Sequence, residues 1–315
     1  MSVWGLNASQ DNFMKNPVPF SCFPPDIQQK LIAAGKSWKQ DTAKSRSATL
    51  AALDPYLRAA PKDGVIITKN VAYGPHPRQI LDMFQPARTE KAPIVVFVHG
   101  GAFVRGDKDT NEHVYANVLI WFARQGYLGI NMEYRLAPEV TYPGATRDVA
   151  DVVKWLKQNA LKYGGDPERI FLIGHSTGGT HVASYAYDPE PGYLGRDVRG
   201  IVLISARLRA DVLPENPNAA AVRAYYGADE SLHETRSPVM YGASSDMPTF
   251  IAIAEYENPL LDVYCAELFY RRSLQRRRTD PFMRLAHHNH ISIMAHFNTE
   301  DEILGREILN FFNLI

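Results

Sequence analysis

The sequence predicts an α/β fold with a mostly parallel central sheet flanked by helices, and three observations carry that expectation. From about residue 65 onward, short β-branched runs alternate with longer stretches whose apolar residues keep helical spacing, the pattern of strands joined by crossover helices. The run at 94–98 is continuously apolar, as a strand buried on both faces of a sheet must be. Hydrophobic residues make up 45% of the 315 positions and charged residues 22%, which provides for a large core and argues against disorder. The expected organisation is one principal domain over 61–315, preceded by an arm at 1–60.

The arm is polar and interrupted by proline; Pro24-Pro25-Asp26 opens a helix through Ile27, Leu31 and Ile32, and the arm is expected to contribute to a cap. Residues 65–69 and 79–84 read as a leading strand pair, and 94–98 as a buried strand ending at His99-Gly100-Gly101. A helix through Val114, Val118, Ile120 and Phe122 follows, then a strand at 128–132 and a loop with Pro138 and Pro143. Ala145, Val149, Val152, Leu156 and Ala160 share one helix face, which Gly164-Gly165-Asp166-Pro167 terminates. Residues 169–173 form the next strand, 174–179 turn sharply into a helix, and 201–204 give another strand. The stretch 207–247 holds several prolines and no long apolar run, so it reads as a cap insertion. A strand at 249–254, a helix at 260–274, a last strand at 282–285 and a closing helix at 303–312 complete the chain, without internal repeats.

Thirty-four basic residues balance thirty-four acidic ones, which removes the long-range field expected of a binder of nucleic acid or anionic membrane. Small molecules are the expected partners, and a homo-oligomer is left open. The arginines at 271–272 and 276–278 read as a solvated face near a helix C-terminus, where cations are stabilising. Cys22 and Cys265 stand too far apart in sequence for a disulfide framework or a paired-thiolate zinc site. The first twenty residues lack a charged start followed by an apolar run, and no stretch approaches the roughly 18 apolar residues of a membrane span. A cytoplasmic protein is expected.

Gly174-His175-Ser176-Thr177-Gly178 matches G-x-S-x-G between an expected strand and an expected helix, the context of a nucleophile elbow. The serine of such a turn needs small neighbours two residues to either side, and it lies at a helix N-terminus where unpaired N–H groups favour developing negative charge. The bland alternative is a glycine-rich loop with a capping serine. His99-Gly100-Gly101-Ala102-Phe103, at the end of the buried strand, offers the N–H groups of Gly100 and Gly101 to complete an oxyanion hole with that of Thr177. Arg105-Gly106-Asp107-Lys108 fails the phosphate-loop pattern, since Asp107 stands where lysine is required. His287-His288-Asn289-His290 brings three histidines together without an acidic or thiol ligand at metal spacing, so neither metal nor cofactor is expected. His290 falls third in the chain order serine, acid, histidine, as a general base should. For the acid, Glu257 is favoured and Asp262 is the alternative.

With these residues in hand, the chain resembles the hormone-sensitive-lipase-like esterases and the related kynurenine formamidase group of the α/β-hydrolase fold. The resemblance runs from about residue 65 to the end and rests on His99-Gly100-Gly101-Ala102-Phe103, Tyr134-Arg135-Leu136-Ala137-Pro138-Glu139, the elbow and Asn289-His290. It implies Ser176 as nucleophile, His290 as base and Gly100 and Gly101 as oxyanion donors. The acid departs from the usual Asp-Pro or Asp-x-Pro: matching it to Glu257-Asn258-Pro259 lands on Glu257. Thr177 stands where such enzymes often carry alanine. The implied activity is hydrolysis of a small-to-medium carboxylic ester through an acyl-enzyme, with an arylformamidase or amidase using the same triad as the alternative and a non-catalytic ligand binder as the rival from another class. Trp38, Phe103, Tyr225, Tyr226 and Tyr241 are candidates to line an apolar substrate pocket.

Overall fold

The computed structural model describes residues 20–88 and 90–315; the start of the chain that was read for a leader lies outside the described residues up to residue 19. Helix α1 (Pro25–Lys36) has proline at its first position, where a missing N–H costs nothing. Helix α2 (Thr42–Ala59) begins at Asp41, whose carboxylate accepts the Lys44 N–H at 3.0 Å. The rest alternates strand and helix: β1 (Val65–Ala72), β2 (Ile80–Pro86), β3 (Ala92–Val98), α3 (Ala116–Arg124), β4 (Leu128–Met132), α4 (Gly144–Asn159), β5 (Gly165–His175), α5 (Thr177–Tyr187), β6 (Gly200–Ile204), α6 (Ala219–Tyr226), β7 (Thr249–Tyr256), α7 (Leu261–Arg276), β8 (Phe282–Asn289), α8 (Ser292–Ala295) and α9 (Ile303–Asn313).

The strands form one eight-stranded sheet in the order β1-β2-β4-β3-β5-β6-β7-β8. The leading pair β1–β2 is antiparallel, as is β2–β4, and every pairing from β4 through β8 is parallel. Period-two alternation divides the apolar runs between two cores: Ile94, Val96 and Val98 face the layer holding α4 and α5, whereas Val95 and Phe97 face the layer holding α3 and α9. The same split separates Ile170 and Leu172 from Phe171 and Ile173 in β5. This three-layer arrangement brings the C-terminal ends of β3, β5, β7 and β8 to one edge of the sheet, the edge where open α/β sheets bind ligands.

The fold differs from the sequence expectations in the arm, in β8 and at Arg272. The arm holds a second helix, α2, whose small residues conceal a buried face made of Thr49, Ala52, Leu53 and Leu57. Strand β8 extends to Asn289, so His287 and His288 lie in the strand and not in a loop after it. Arg272 is not on a solvated face: it is fully buried, pairs with Asp280, and donates to the carbonyls of Gly242 at 2.6 Å and Met247 at 2.8 Å. A buried guanidinium needs that many acceptors. Arg277 and Arg278 are exposed as expected. Among the described residues, no helix is long and apolar enough to cross a membrane.

Candidate active site

Strand β5 runs into α5 through Ser176, which adopts φ 57° and ψ −120°, a sparsely populated conformation for a non-glycine residue. The turn is possible because its neighbours are glycines: a Cβ on Gly174 would stand 2.6 Å from the carbonyl oxygen of Gly178. Ser176 is also tied at both backbone groups, donating N–H to Ile204 O at 3.0 Å and accepting from Arg207 N at 3.0 Å. The side chain is thereby presented at the end of the sheet.

The loop after β3 lies directly beside it. A Cβ on Gly100 would stand 2.8 Å from the Ser176 Cβ, so only glycine lets this backbone approach the serine. Gly101 has φ +155°, which L side chains rarely adopt. Among the described residues, neither Gly100 nor Gly101 gives its N–H to a backbone carbonyl, and Thr177, as the first residue of α5, has no carbonyl one turn earlier in the helix. The Thr177 side chain is buried away from the cavity, so it does not narrow the space beside Ser176.

His99 holds this loop from below. Its buried ring stacks on Tyr134 at 4.3 Å, its Nε2 lies 2.7 Å from the Glu133 carboxylate and its Nδ1 lies 2.7 Å from the Gly100 carbonyl. Glu133 also accepts the Lys108 N–H at 3.0 Å and pairs with Arg78. Burial would raise the Glu133 carboxyl, but the His99 hydrogen bond and charge, with Lys108 N–H and Arg78, hold it below its ordinary value.

At the other wall, β8 delivers His290 and β7 delivers Glu257. His290 Nδ1–H donates to Glu257 Oε2 at 2.7 Å, and both side chains are buried. The second carboxylate oxygen accepts the Ala254 N–H at 2.8 Å and the Ser205 hydroxyl. Asp262 is elsewhere, in the first turn of α7, accepting the Val263 N–H at 3.0 Å. His175 completes the floor: its Nε2–H donates to the His290 carbonyl at 2.9 Å, and burial, reinforced by the nearby His290, keeps its imidazole far below the usual histidine range.

Ser176, His290, Gly100 and Gly101 open onto one cavity of about 420 Å³. Among the described contacts the Ser176 hydroxyl and the His290 ring do not hydrogen-bond to each other; such contacts commonly close only around a substrate. The rest of the wall mixes polar Thr42, Arg46, Arg105, Thr110, Asn218 and Asn258 with Trp38, Ala102, Tyr115 and Ile291. That corrects the aromatic pocket expected from sequence, since only Trp38 of the five candidates lines it. Phe103 stacks on Tyr225 at 4.8 Å and meets Tyr226 edge-on at 5.6 Å inside the core, while Tyr241 lies at a different surface recess. His288 is likewise structural, paired with buried Asp301 at 3.1 Å. No cluster of three or more potential metal ligands occurs among the described residues.

Ser205 is a supporting residue that sequence reasoning missed, whereas Trp38 and Asn289, named for the pocket and for the Asn289-His290 motif, have hydrogen-bonding roles that it did not foresee. Trp38 Nε1–H donates to Asn258 Oδ1 at 3.0 Å, beside Glu257, and Asn289 Nδ2–H donates to Thr49 Oγ1 at 2.8 Å, beside His290.

Comparison with known proteins agrees with this architecture. The family model described as BD-FAE matches residues 81–189. The chain is similar to Esterase LipI of Mycobacterium tuberculosis, 30% identical over 55% of this chain and 57% of the relative. It is also similar to the versiconal hemiacetal acetate esterase of Dothistroma septosporum, 32% identical over 52% and 51%. The chain thus spans about half the length of these curated relatives. Among solved structures, Esterase B from Lactobacillus rhamnosis superposes with a TM-score of 0.71 at 21% identity, covering 91% of this chain and 96% of that one. The hyperthermophilic esterase from Pyrobaculum calidifontis gives 0.67 at 21% identity over 94% and 99%. At such identities these structures show the fold.

Proposed function

We propose that the chain, which has the α/β-hydrolase fold and resembles the hormone-sensitive-lipase-like esterases, is a serine hydrolase of small-to-medium carboxylic esters. The observation that carries the reading is the Glu257–His290 hydrogen bond of 2.7 Å at the wall of the cavity into which Ser176 opens. In this reading His290 Nε2 takes the Ser176 proton as the serine attacks the acyl carbon, and Glu257 holds the imidazole in the required tautomer and stabilises its cation. The N–H groups of Gly100, Gly101 and Thr177 receive the oxyanion. The imidazolium then protonates the departing alcohol, and water activated by the same histidine releases the acid from the acyl-enzyme.

Replacing Ser176 with alanine is expected to lower kcat on short acyl esters by at least about a thousandfold while leaving the fold intact. Full turnover in that variant contradicts the proposal. A fluorophosphonate probe should label Ser176 in the folded protein, which a non-catalytic ligand binder would not support. The same constellation is competent for a formamide, and rates on N-formylkynurenine against acetyl and butyryl esters decide which bond is preferred.

A further inference from the structure

The cavity beside Ser176 is electrostatically lopsided. Two guanidinium groups, Arg46 from α2 and Arg105 from the loop after β3, belong to its wall, and no carboxylate does. Among the described residues neither forms a salt bridge; Arg105 gives one hydrogen bond, from Nη2 to Asn218 Oδ1 at 3.1 Å. Elsewhere in the molecule arginines with a structural role are matched by acids: Arg78 with Glu133, Arg135 with Asp148, Arg207 with Asp211 and Arg272 with Asp280. Tyr115 lines the same cavity, and the rise that burial imposes on its phenol is opposed by Thr110 and then by Arg46. The chain as a whole has no net charge, so this is a local concentration and not part of a generally basic surface.

We propose that the site selects esters carrying a second, ionised carboxyl group, held by Arg46 and Arg105. The inference rests on the ester-hydrolase reading of Ser176 and His290 and assigns its substrate class. Guanidinium and carboxylate are matched in geometry and charge, and a recess that excludes part of the solvent strengthens their attraction. Thr42, Thr110, Asn218 and Asn258 line the same cavity as the two cations and add neutral polar groups to it. The chemistry is balanced as ordinary hydrolysis: water adds across the acyl C–O bond, acid and alcohol leave, and the second carboxylate is unchanged.

Two matched pairs test it, followed by titration of released acid at constant pH. Monomethyl glutarate against methyl valerate places the charge on the acyl side; acetoxyacetate against propyl acetate places it on the alcohol side. The charged member of at least one pair should show kcat/KM higher on the order of tenfold. That ratio should shrink with added salt and in Arg46→Met and Arg105→Met, and Arg46→Lys should retain part of it. A ratio at or below one in both pairs, unmoved by either substitution, overturns the inference while hydrolysis of the neutral esters upholds the esterase reading. Absence of turnover on all four esters, together with failure of a fluorophosphonate to label Ser176, overturns both.

Discussion

Glu257 is a buried carboxylate held by donors from three directions: the His290 ring, the Ala254 N–H and the Ser205 hydroxyl. Two of these act on the oxygen that does not face His290, so they fix the plane of the carboxylate without competing for the imidazole. Ser205 itself is completely buried just past β6, at φ 49°, where its only evident task is this contact. It is a positioning residue, one step removed from the reacting atoms. Ser205→Ala removes one of three charge-assisted bonds, a loss of about 1.5–3 kcal/mol in such settings. The expected outcome is a fall in kcat on the order of tenfold with KM nearly unchanged, accompanied by equally slowed fluorophosphonate labelling of Ser176. An unchanged kcat would show that Ala254 and His290 suffice to hold the acid.

The helices of the arm act on the same pair of residues from the other side. Trp38, just past α1, hydrogen-bonds Asn258 next to Glu257, and Thr49, in α2, accepts from Asn289 next to His290. Thr49 also donates to Ser45 O at 2.8 Å and is completely buried, so its hydroxyl bridges the helix to β8. Thr49→Val keeps the volume but leaves the Asn289 amide unpaired, and should lower unfolding stability by about 1–3 kcal/mol in urea titrations, with a smaller kcat on esters. Wild-type stability in that variant would mean that the arm rests on the site without holding it. These latches explain what was legible from the sequence. The elbow could be read because its demand for Gly174 and Gly178 is local, and the strands because alternation and continuous apolar runs leave a direct trace. The link from Trp38 to Asn258 spans 220 positions and has no such trace. Nor did α2, whose alanines and serines give a weak apolar stripe, so the polar side of the cavity stayed hidden behind an expectation of aromatic lining.

Across the whole molecule, the site is bought with buried imidazoles, and this sets how stability must depend on pH. Burial, then the neighbouring His290, keeps His175 well below the ordinary histidine value; burial, then His99, lowers His181 to about 3; burial lowers His296 to about 4, with Asp301 opposing. In the unfolded chain each titrates near 6.5. Above that value both states are neutral and the native state bears no penalty. As pH falls below it, the unfolded chain takes up protons that these three folded positions refuse, so stability is lost progressively from about pH 6.5 downward. The slope should approach three protons, about 4 kcal/mol per pH unit, before other groups enter. Asp188, raised by burial, acts in the opposite sense, because as pH falls its folded carboxyl takes up a proton before the unfolded one does. Urea unfolding at pH 5.0, 6.0, 7.0 and 8.0 should therefore give a plateau between the upper two values and a steep decline between the lower two (on the order of two to three protons). His181→Gln should flatten that decline by about one proton, since His181 is fully enclosed by Phe103, Tyr134 and Tyr225 and has no carboxylate partner among the described residues. A stability that stays level from pH 8.0 to 5.0 would mean that these rings accept protons in the folded state, and with that the neutral His175 beneath His290 would be lost as a fixed element of the site.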